Sequence, residues 1–376
     1  MQWSIRIMSE NHTESILVSK FGFIGMDVVK SFDDIFLDCT SLGVKLKTEE
    51  YAVSGQYAIV DQGQHDIAGY TNRTEGVYAD VPAIIFGDHT RVIKYIDQPL
   101  FLGADGVKLL KAKEESANYK YLYYALRSIR IPNTGYNRHF KWLKESQIEY
   151  PDAEMQQKVV DTLDKVIGII TIRKQQLTAL DTLIKARFVE MFGIPGTNVH
   201  GWGIVRLGSM CHINPSKSQD QRLENVAAIS FVPMSAVSET GKIDASLIKR
   251  YDEVKSGFTY FAENDVLFAK ITPCMENGKG AVAKGLYNGI GFGSTEFHVL
   301  RPISGQTNSS WLYMLTMFPQ FRMDAANNMT GSAGQRRVPV SFLENYYVSV
   351  PPIELQDQFA AFVEQVDKSK YVAPHK

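Results

Sequence analysis

Between residues 153 and 192 the apolar positions repeat with the period of a helix seam. Leu163, Ile170, Leu177 and Ile184 fall seven apart, Val166 and Leu180 occupy intervening apolar positions, and Arg173 and Arg187 interrupt them. No proline occurs until Pro195. The pattern predicts one uninterrupted coiled-coil helix, roughly 57 Å long at 1.5 Å per residue. Glu154, Asp161, Asp164, Lys174 and Lys185 leave most of its circumference polar, so it should pair along one stripe rather than fill a core. Gly193-Ile194-Pro195-Gly196-Thr197-Asn198 stops it. A second stripe of Leu355, Phe359, Phe362, Val363 and Val366 starts near Ile353. It predicts a helix of about 15 residues, ended by Tyr371-Val372-Ala373-Pro374 and half as long as the first.

Both helices open on the same junction, about two hundred residues apart: Tyr150-Pro151-Asp152-Ala153-Glu154-Met155-Gln156-Gln157 and Val350-Pro351-Pro352-Ile353-Glu354-Leu355-Gln356-Asp357. The match continues upstream in order. Trp142-Leu143 answers Phe342-Leu343, Tyr121-Leu122-Tyr123 answers Trp311-Leu312-Tyr313, and Gly103 to Leu110 can be set against Gly293 to Leu300. An internal repeat of this length means one unit written twice. Within the first copy, Tyr51 to Val60 alternates as a strand, Asp61-Gln62-Gly63-Gln64-His65 reads as a polar turn, and Val81 to Phe86 as a buried strand ending at Gly87-Asp88. Tyr119 to Ser128 should be helical, with Leu122 and Leu126 at helical spacing. The expected fold is mixed α/β (α+β): two duplicated modules, residues 1–150 and 194–350, each followed by a coiled-coil spacer helix, a long one over 151–193 and a shortened one over 351–376.

Composition narrows the class. The chain has 376 residues, 44% of them hydrophobic, enough for two domains and their connecting helices. No apolar run is long enough to span a bilayer, and Met1-Gln2-Trp3-Ser4-Ile5-Arg6 has no signal-peptide pattern, so a cytoplasmic protein without membrane contact is expected. Cys39, Cys211 and Cys274 never pair as Cys-x-x-Cys, which argues against a disulfide framework or a thiolate zinc site. A net charge of −1 excludes nucleic-acid binding by bulk charge alone. It leaves room for a local basic surface. Lys120, Arg127, Arg130, Arg138, Lys141 and Lys144 form a run free of acidic residues, interleaved with Tyr121, Tyr123, Tyr124, Tyr136, Phe140 and Trp142.

Catalytic chemistry is hard to find. Asn214-Pro215-Ser216-Lys217 lacks the second proline and aromatic residue of an adenine methyltransferase motif. Gly331-Ser332-Ala333-Gly334-Gln335 is no phosphate loop, Glu253-Val254-Lys255 is too common a tripeptide to mark a nuclease, and the histidines show no zinc spacing. Reading chemistry is easier to place. Gln335-Arg336-Arg337 closes a flexible loop with two guanidiniums suited to phosphate or guanine edges, and Gly135-Tyr136-Asn137-Arg138-His139 stands at the equivalent place in the first module.

These segments together resemble the specificity subunit of type I restriction-modification systems. The resemblance rests on the Gly201-Trp202 to Gly208 opening, Gly293-Ser294-Thr295-Glu296-Phe297-His298-Val299-Leu300, the Gly331 to Arg337 loop and the Pro-x-x-Glu-x-Gln junctions. It covers essentially the whole chain. The first module lacks the Trp-containing opening, for which Val28 to Ile35 can stand in. The resemblance implies two target recognition domains that read a bipartite DNA sequence, and a bacterial or archaeal cytoplasm. It implies no cofactor in this chain. Two modification subunits would carry S-adenosylmethionine and methylate adenine, and two restriction subunits would use ATP and Mg. Candidate DNA contacts are Gln62, Gln64, His65, Arg73, Asn137 and Arg138 in the first module, and Lys217, Lys270, Asn277, Lys279, Gln335, Arg336 and Arg337 in the second. Leu163, Val166, Ile170, Leu177, Leu180, Ile184, Val363 and Val366 are the expected helix-pairing or subunit-facing positions. The competing readings are a coiled-coil scaffold that reads no sequence, and a diverged methyltransferase or nuclease.

Overall fold

The computed structural model describes residues 28–103, 105–135, 137–332 and 334–371. The Met1 to Arg6 start, Tyr136, Ala333 and the Val372 to Pro374 stop lie outside the described residues. The chain forms two compact units, Met1–Arg173 and Lys174–Lys376.

The first unit runs β1 (Val29–Ser31), α1 (Phe32–Ile35), β2 (Phe36–Asp38), β3 (Tyr57–Val60), β4 (Gly69–Thr71), β5 (Ala83–Gly87), β6 (Ile93–Ile96), β7 (Leu100–Leu102), β8 (Val107–Ala112), α2 (Tyr119–Ser128), α3 (Phe140–Lys144) and β9 (Gln147–Glu149), and leads into α4 (Ala153–Phe192). The second runs β10 (Ile204–Arg206), β11 (Cys211–Ile213), β12 (Ala228–Val232), β13 (Ile248–Arg250), α5 (Tyr251–Val254), β14 (Thr259–Ala262), β15 (Val266–Ala269), β16 (Gly280–Val282), β17 (Ile290–Gly293), β18 (Phe297–Pro302), α6 (Ser309–Met317), α7 (Pro319–Asn327), α8 (Val340–Asn345), β19 (Tyr347–Ser349) and α9 (Ile353–Tyr371).

The repeat seen in the sequence is a repeat of topology. One sheet has the order β2-β8-β5-β6, the other β11-β18-β15-β16. A second sheet has β4-β3-β7 in one unit and β13-β12-β17-β14 in the other, with β3/β7 and β12/β17 the parallel pairs. Each unit closes with its first and last strands paired: Ser31 opposite Gln147, and Arg206 opposite Tyr347. Val29–Ser31 therefore does take the place of the Trp-containing opening.

The central strand shows why the frame holds. All five residues of β5 are buried. Side chains alternate across a strand, so Ile84 and Phe86 enter the core under α2 and α3, while Ala83 and Ile85 enter the core against β7 and β8. In β15, Val266 and Phe268 face one core and Leu267 and Ala269 the other. Asn118 and Asn308 cap α2 and α6 identically, each side chain accepting a hydrogen bond 3.0 Å from the amide three residues on.

At the junctions the repeated glutamine is a buried latch. Gln156 donates to the Pro151 carbonyl at 2.9 Å and Gln356 to that of Pro351 at 3.0 Å. Gln356 also accepts from the Thr307 hydroxyl at 2.9 Å and the Asn308 amide at 3.3 Å.

The long helix has the predicted bounds, but its residues are shared between the two units. Leu163 belongs with Val159 and Val160 to the first unit's core. Ile184 and Phe188 belong to the second, together with Val366 of α9, and Leu180 and Val363 pack against that core. Phe188 meets Phe359 with ring centroids 5.4 Å apart, and Lys370 pairs with Asp181 at 2.7 Å, so α4 and α9 run antiparallel there. The helix α9 has 19 residues rather than about 15. Val166 and Ile170 in the first unit and Leu177 in the second are half-buried, and Ile169 and Ile172 of the first unit are exposed. Tyr51 to Val60 is only partly strand: Ser54-Gly55 breaks it, leaving Ala52 in an isolated bridge to Tyr70.

Candidate nucleic-acid interface

In each unit three loops meet where the central strand ends. One follows β5 or β15, one precedes β8 or β18, and one precedes α3 or α8. Asp88, the residue after β5, donates its amide to Gly106 at 2.7 Å and accepts from the His139 amide at 2.8 Å. Lys270, the residue after β15, donates to Glu296 at 2.9 Å and accepts from the Val338 amide at 2.9 Å. These bonds put three position pairs in register: Asp88 with Lys270, Gly106 with Glu296, and, one residue before His139 and Val338, Arg138 with Arg337.

In the second unit the Arg337 guanidinium is held by Glu296 through Nε and Nη2, at 3.0 and 2.7 Å. The hydrogen bonds from Arg337, foremost, hold the Glu296 carboxyl below its ordinary value. Arg336 pairs with Glu276 at 3.1 Å, and its amide donates to the Thr272 hydroxyl. Gly331, at φ +120°, lets the loop fold back; an added Cβ would stand 2.8 Å from the Gln335 carbonyl oxygen. Gln335 and Asn277 are exposed on the same loops, and Lys279 is half-buried, its ammonium on the Met234 carbonyl. Lys270, Asn277, Lys279, Gln335, Arg336 and Arg337 are thus brought together. Lys217 is not: its ammonium donates to the Lys255 carbonyl on another segment.

In the first unit the Gln62 side chain lies over Gly106, donating to the Asp105 carbonyl at 3.1 Å and accepting from the His89 amide at 3.2 Å. Gln64 and His65 are exposed on the same turn, which buried Lys94 pins through the His65 carbonyl and the Asp61 carboxylate. Asn137 donates to the Thr134 carbonyl, and Arg138 is exposed close enough to Asp105 to lower its carboxyl, behind the larger effect of Lys45. Arg73 lies apart, its guanidinium on the Glu75 carbonyl. Much of the predicted basic run is engaged locally: Lys120 pairs with Asp164 at 2.6 Å, Arg127 donates to the Tyr123 hydroxyl, and Lys144 pairs with Asp33.

The type I restriction modification DNA specificity domain matches residues 29–182 and again 200–371. The chain belongs to this family. Among similar proteins, the type I restriction enzyme EcoEI specificity subunit of Escherichia coli is 44% identical over 154 residues, 40% of this chain and 25% of that protein. The EcoAI specificity subunit of the same organism is 43% identical over 163 residues, 42% of this chain and 26% of that protein. The matched region is thus about a quarter of the length of these relatives. The crystal structure of a type I restriction-modification S subunit from M. genitalium shares the fold, with a TM-score of 0.54 at 13% identity, over 93% of this chain and 91% of that one.

Sequence reasoning on this specificity-domain chain missed the groups that hold the loops. Glu296 and His298 sit in a segment singled out for its resemblance, yet their roles depend on partners 40 or more residues away: Glu296 clamps Arg337, and His298 bonds the Val338 carbonyl at 2.8 Å. In the first unit the same staple is made from the other side, His139 reaching the Asp88 carbonyl at 3.0 Å. Burial, foremost, lowers the His298 imidazole below its ordinary value, against the raising effect of its bond to the Val338 carbonyl.

Proposed function

We propose that this chain is a specificity subunit that reads a two-part sequence in double-stranded DNA, one half-site per module, and has no catalytic role of its own. The observation that carries the reading is the repeated three-loop cluster. Two units of one topology present the same backbone frame, with an arginine at the same place, and different side chains around it. Shared frame suits a shared ligand, the duplex, while differing loops suit different half-sites. Gln62, Gln64, His65, Asn137 and Arg138 contact one half-site. Lys270, Asn277, Lys279, Gln335, Arg336 and Arg337 contact the other. Arg73 and Lys217 lie outside the clusters and serve as flanking phosphate contacts.

The partners follow from the same reading: two modification subunits that bring S-adenosylmethionine, and restriction subunits that bring ATP and Mg. Half-buried Val166 and Ile170, with exposed Ile169 and Ile172, give such subunits apolar side chains to meet on α4 of the first unit.

Two measurements test this. Selection of duplexes by the full chain from a randomised pool should return two short elements separated by a fixed unread gap. Co-expression with a modification subunit should then place adenine methylation at that same sequence across a genome. A chain that forms the complex but enriches no sequence would be a coiled-coil scaffold.

A further inference from the structure

The register between the two clusters separates what they share from what they do not. Arg138 and Arg337 are common to both modules. At the other two registered positions the chemistry changes outright. Asp88 is buried and spends its carboxylate capping the Phe140 amide at 2.7 Å, whereas its counterpart Lys270 is half-buried and its ammonium makes no hydrogen bond among the described residues. Gly106 is covered by the Gln62 side chain, whereas its counterpart Glu296 clamps Arg337.

Resting on the DNA reading above, we propose that Lys270 is a base-reading residue of the second module, donating to a guanine O6/N7 edge, and that Arg337, held by Glu296, takes backbone phosphate.

Three features support this division. The half-buried ammonium gives no hydrogen bond to the described residues, so its donors are available to an acceptor arriving with the DNA. Lys270 lies close enough to Glu296 and Arg337 for both charges to act on it, and burial, foremost, already lowers its basicity. Glu296 gives its carboxylate to Arg337 rather than to Lys270, so the Lys270 donors stay available beside the cluster. The edge of a guanine carries two acceptors, O6 and N7, and lysine is one of the side chains that suits it. Arg337 is the opposite case. The side-on pair of donors, Nε and Nη2, is bound to Glu296, and Nη1 also leans on the Gln335 carbonyl at 3.3 Å. Its outward N–H groups fit a single phosphate oxygen, a contact that needs no sequence and can therefore recur as Arg138 in the other module.

The test compares variants of the full chain on the selected duplex and on a panel substituted one base pair at a time. Lys270→Met keeps the aliphatic stem in place and removes the donor. It should lose roughly tenfold or more of the discrimination at one guanine-containing pair of one half-site. Preferences in the other half-site, and the slope of log affinity against log salt, should stay as they were. Arg337→Ala should weaken all duplexes alike and lower that slope by about one. Lys270→Arg, which keeps the charge but moves the donors, should alter discrimination at the same pair and serves if the methionine variant folds poorly.

Uniform weakening by Lys270→Met with a reduced salt slope would make Lys270 a phosphate contact and overturn the assignment, as would unaltered discrimination in both Lys270 variants. Absence of any sequence preference in the unsubstituted chain would instead overturn the DNA reading, and the assignment with it.

Discussion

Single side chains carry unequal weight in the two copies, and the junction glutamines measure it. Gln356 is fully buried and bonds Thr307, Asn308, Gln306 and Pro351, so Gln356→Ala strands several buried polar groups. It should lower unfolding free energy by about 1–3 kcal/mol in urea titration, against about 1 kcal/mol for Gln156→Ala, whose amide is anchored on the Pro151 carbonyl. Asp220 gives the clearest pH signature. Its carboxylate is 9% exposed, accepts from Arg222 at 2.7 Å and from the Tyr260 hydroxyl at 2.6 Å, and is held down to about 2 from 3.8, chiefly by Arg222. The folded value lies below the unfolded one, so the contribution is present above pH 3.8 and lost as pH falls through about 2. Because Arg222 is half exposed, about 1 kcal/mol is expected rather than the full shift. Stability measured between pH 6 and 2 should fall less steeply in Asp220→Asn. None of these roles was legible in the sequence, because Tyr260 stands 40 residues from Asp220 and Thr307 stands 49 from Gln356. The matching placement of Arg138 and Arg337 was legible because the two copies write it at the same point before their junctions.

Elements were legible in proportion to their length. The seven-residue spacing from Leu163 to Ile184 made α4 legible as one long helix, since a long periodic stripe outweighs any local ambiguity. Three-residue strands such as β4 or β11 have no period to read, and they exist because a partner strand supplies their hydrogen bonds. What periodicity could not say is which core each turn of α4 serves. Phe188, 1% exposed among Phe192, Phe318 and Phe359, is part of the second unit's core, whereas Ile172 is 56% exposed. Phe188→Ala should cost about 3–5 kcal/mol of that unit's stability through the cavity it leaves. Ile172→Ala should change stability by no more than about 0.5 kcal/mol. A calorimetric scan of both variants checks this, and equal effects would mean that α4 is buried as evenly along its length as a core helix.

At the scale of the molecule, duplication makes one module a replacement part for the other, which allows the division of labour to be tested. The seams of the two copies match. Their outer strands pair in the same register, Phe32 and Leu207 follow the first strand as buried residues with their amides on the Ser146 and Tyr346 carbonyls, and both junctions are closed by a proline and a latched glutamine. Residues 204–350 can therefore be grafted in place of 29–150 with no new backbone hydrogen bond to invent. Asn308 would meet Gln157, which offers Asn118 an acceptor 3.1 Å away. Asp164 would lose Lys120 and Tyr124, but its side chain is 36% exposed and can be solvated. If each module reads alone, duplexes selected by this chimera should contain the second half-site twice and the first not at all. Lys270→Met in one copy should then blur one of the two identical elements and leave the other sharp. Selection of the original pair of half-sites by the chimera would mean that the loops are not the readers. A blurred element in both places would mean that the two modules do not read independently.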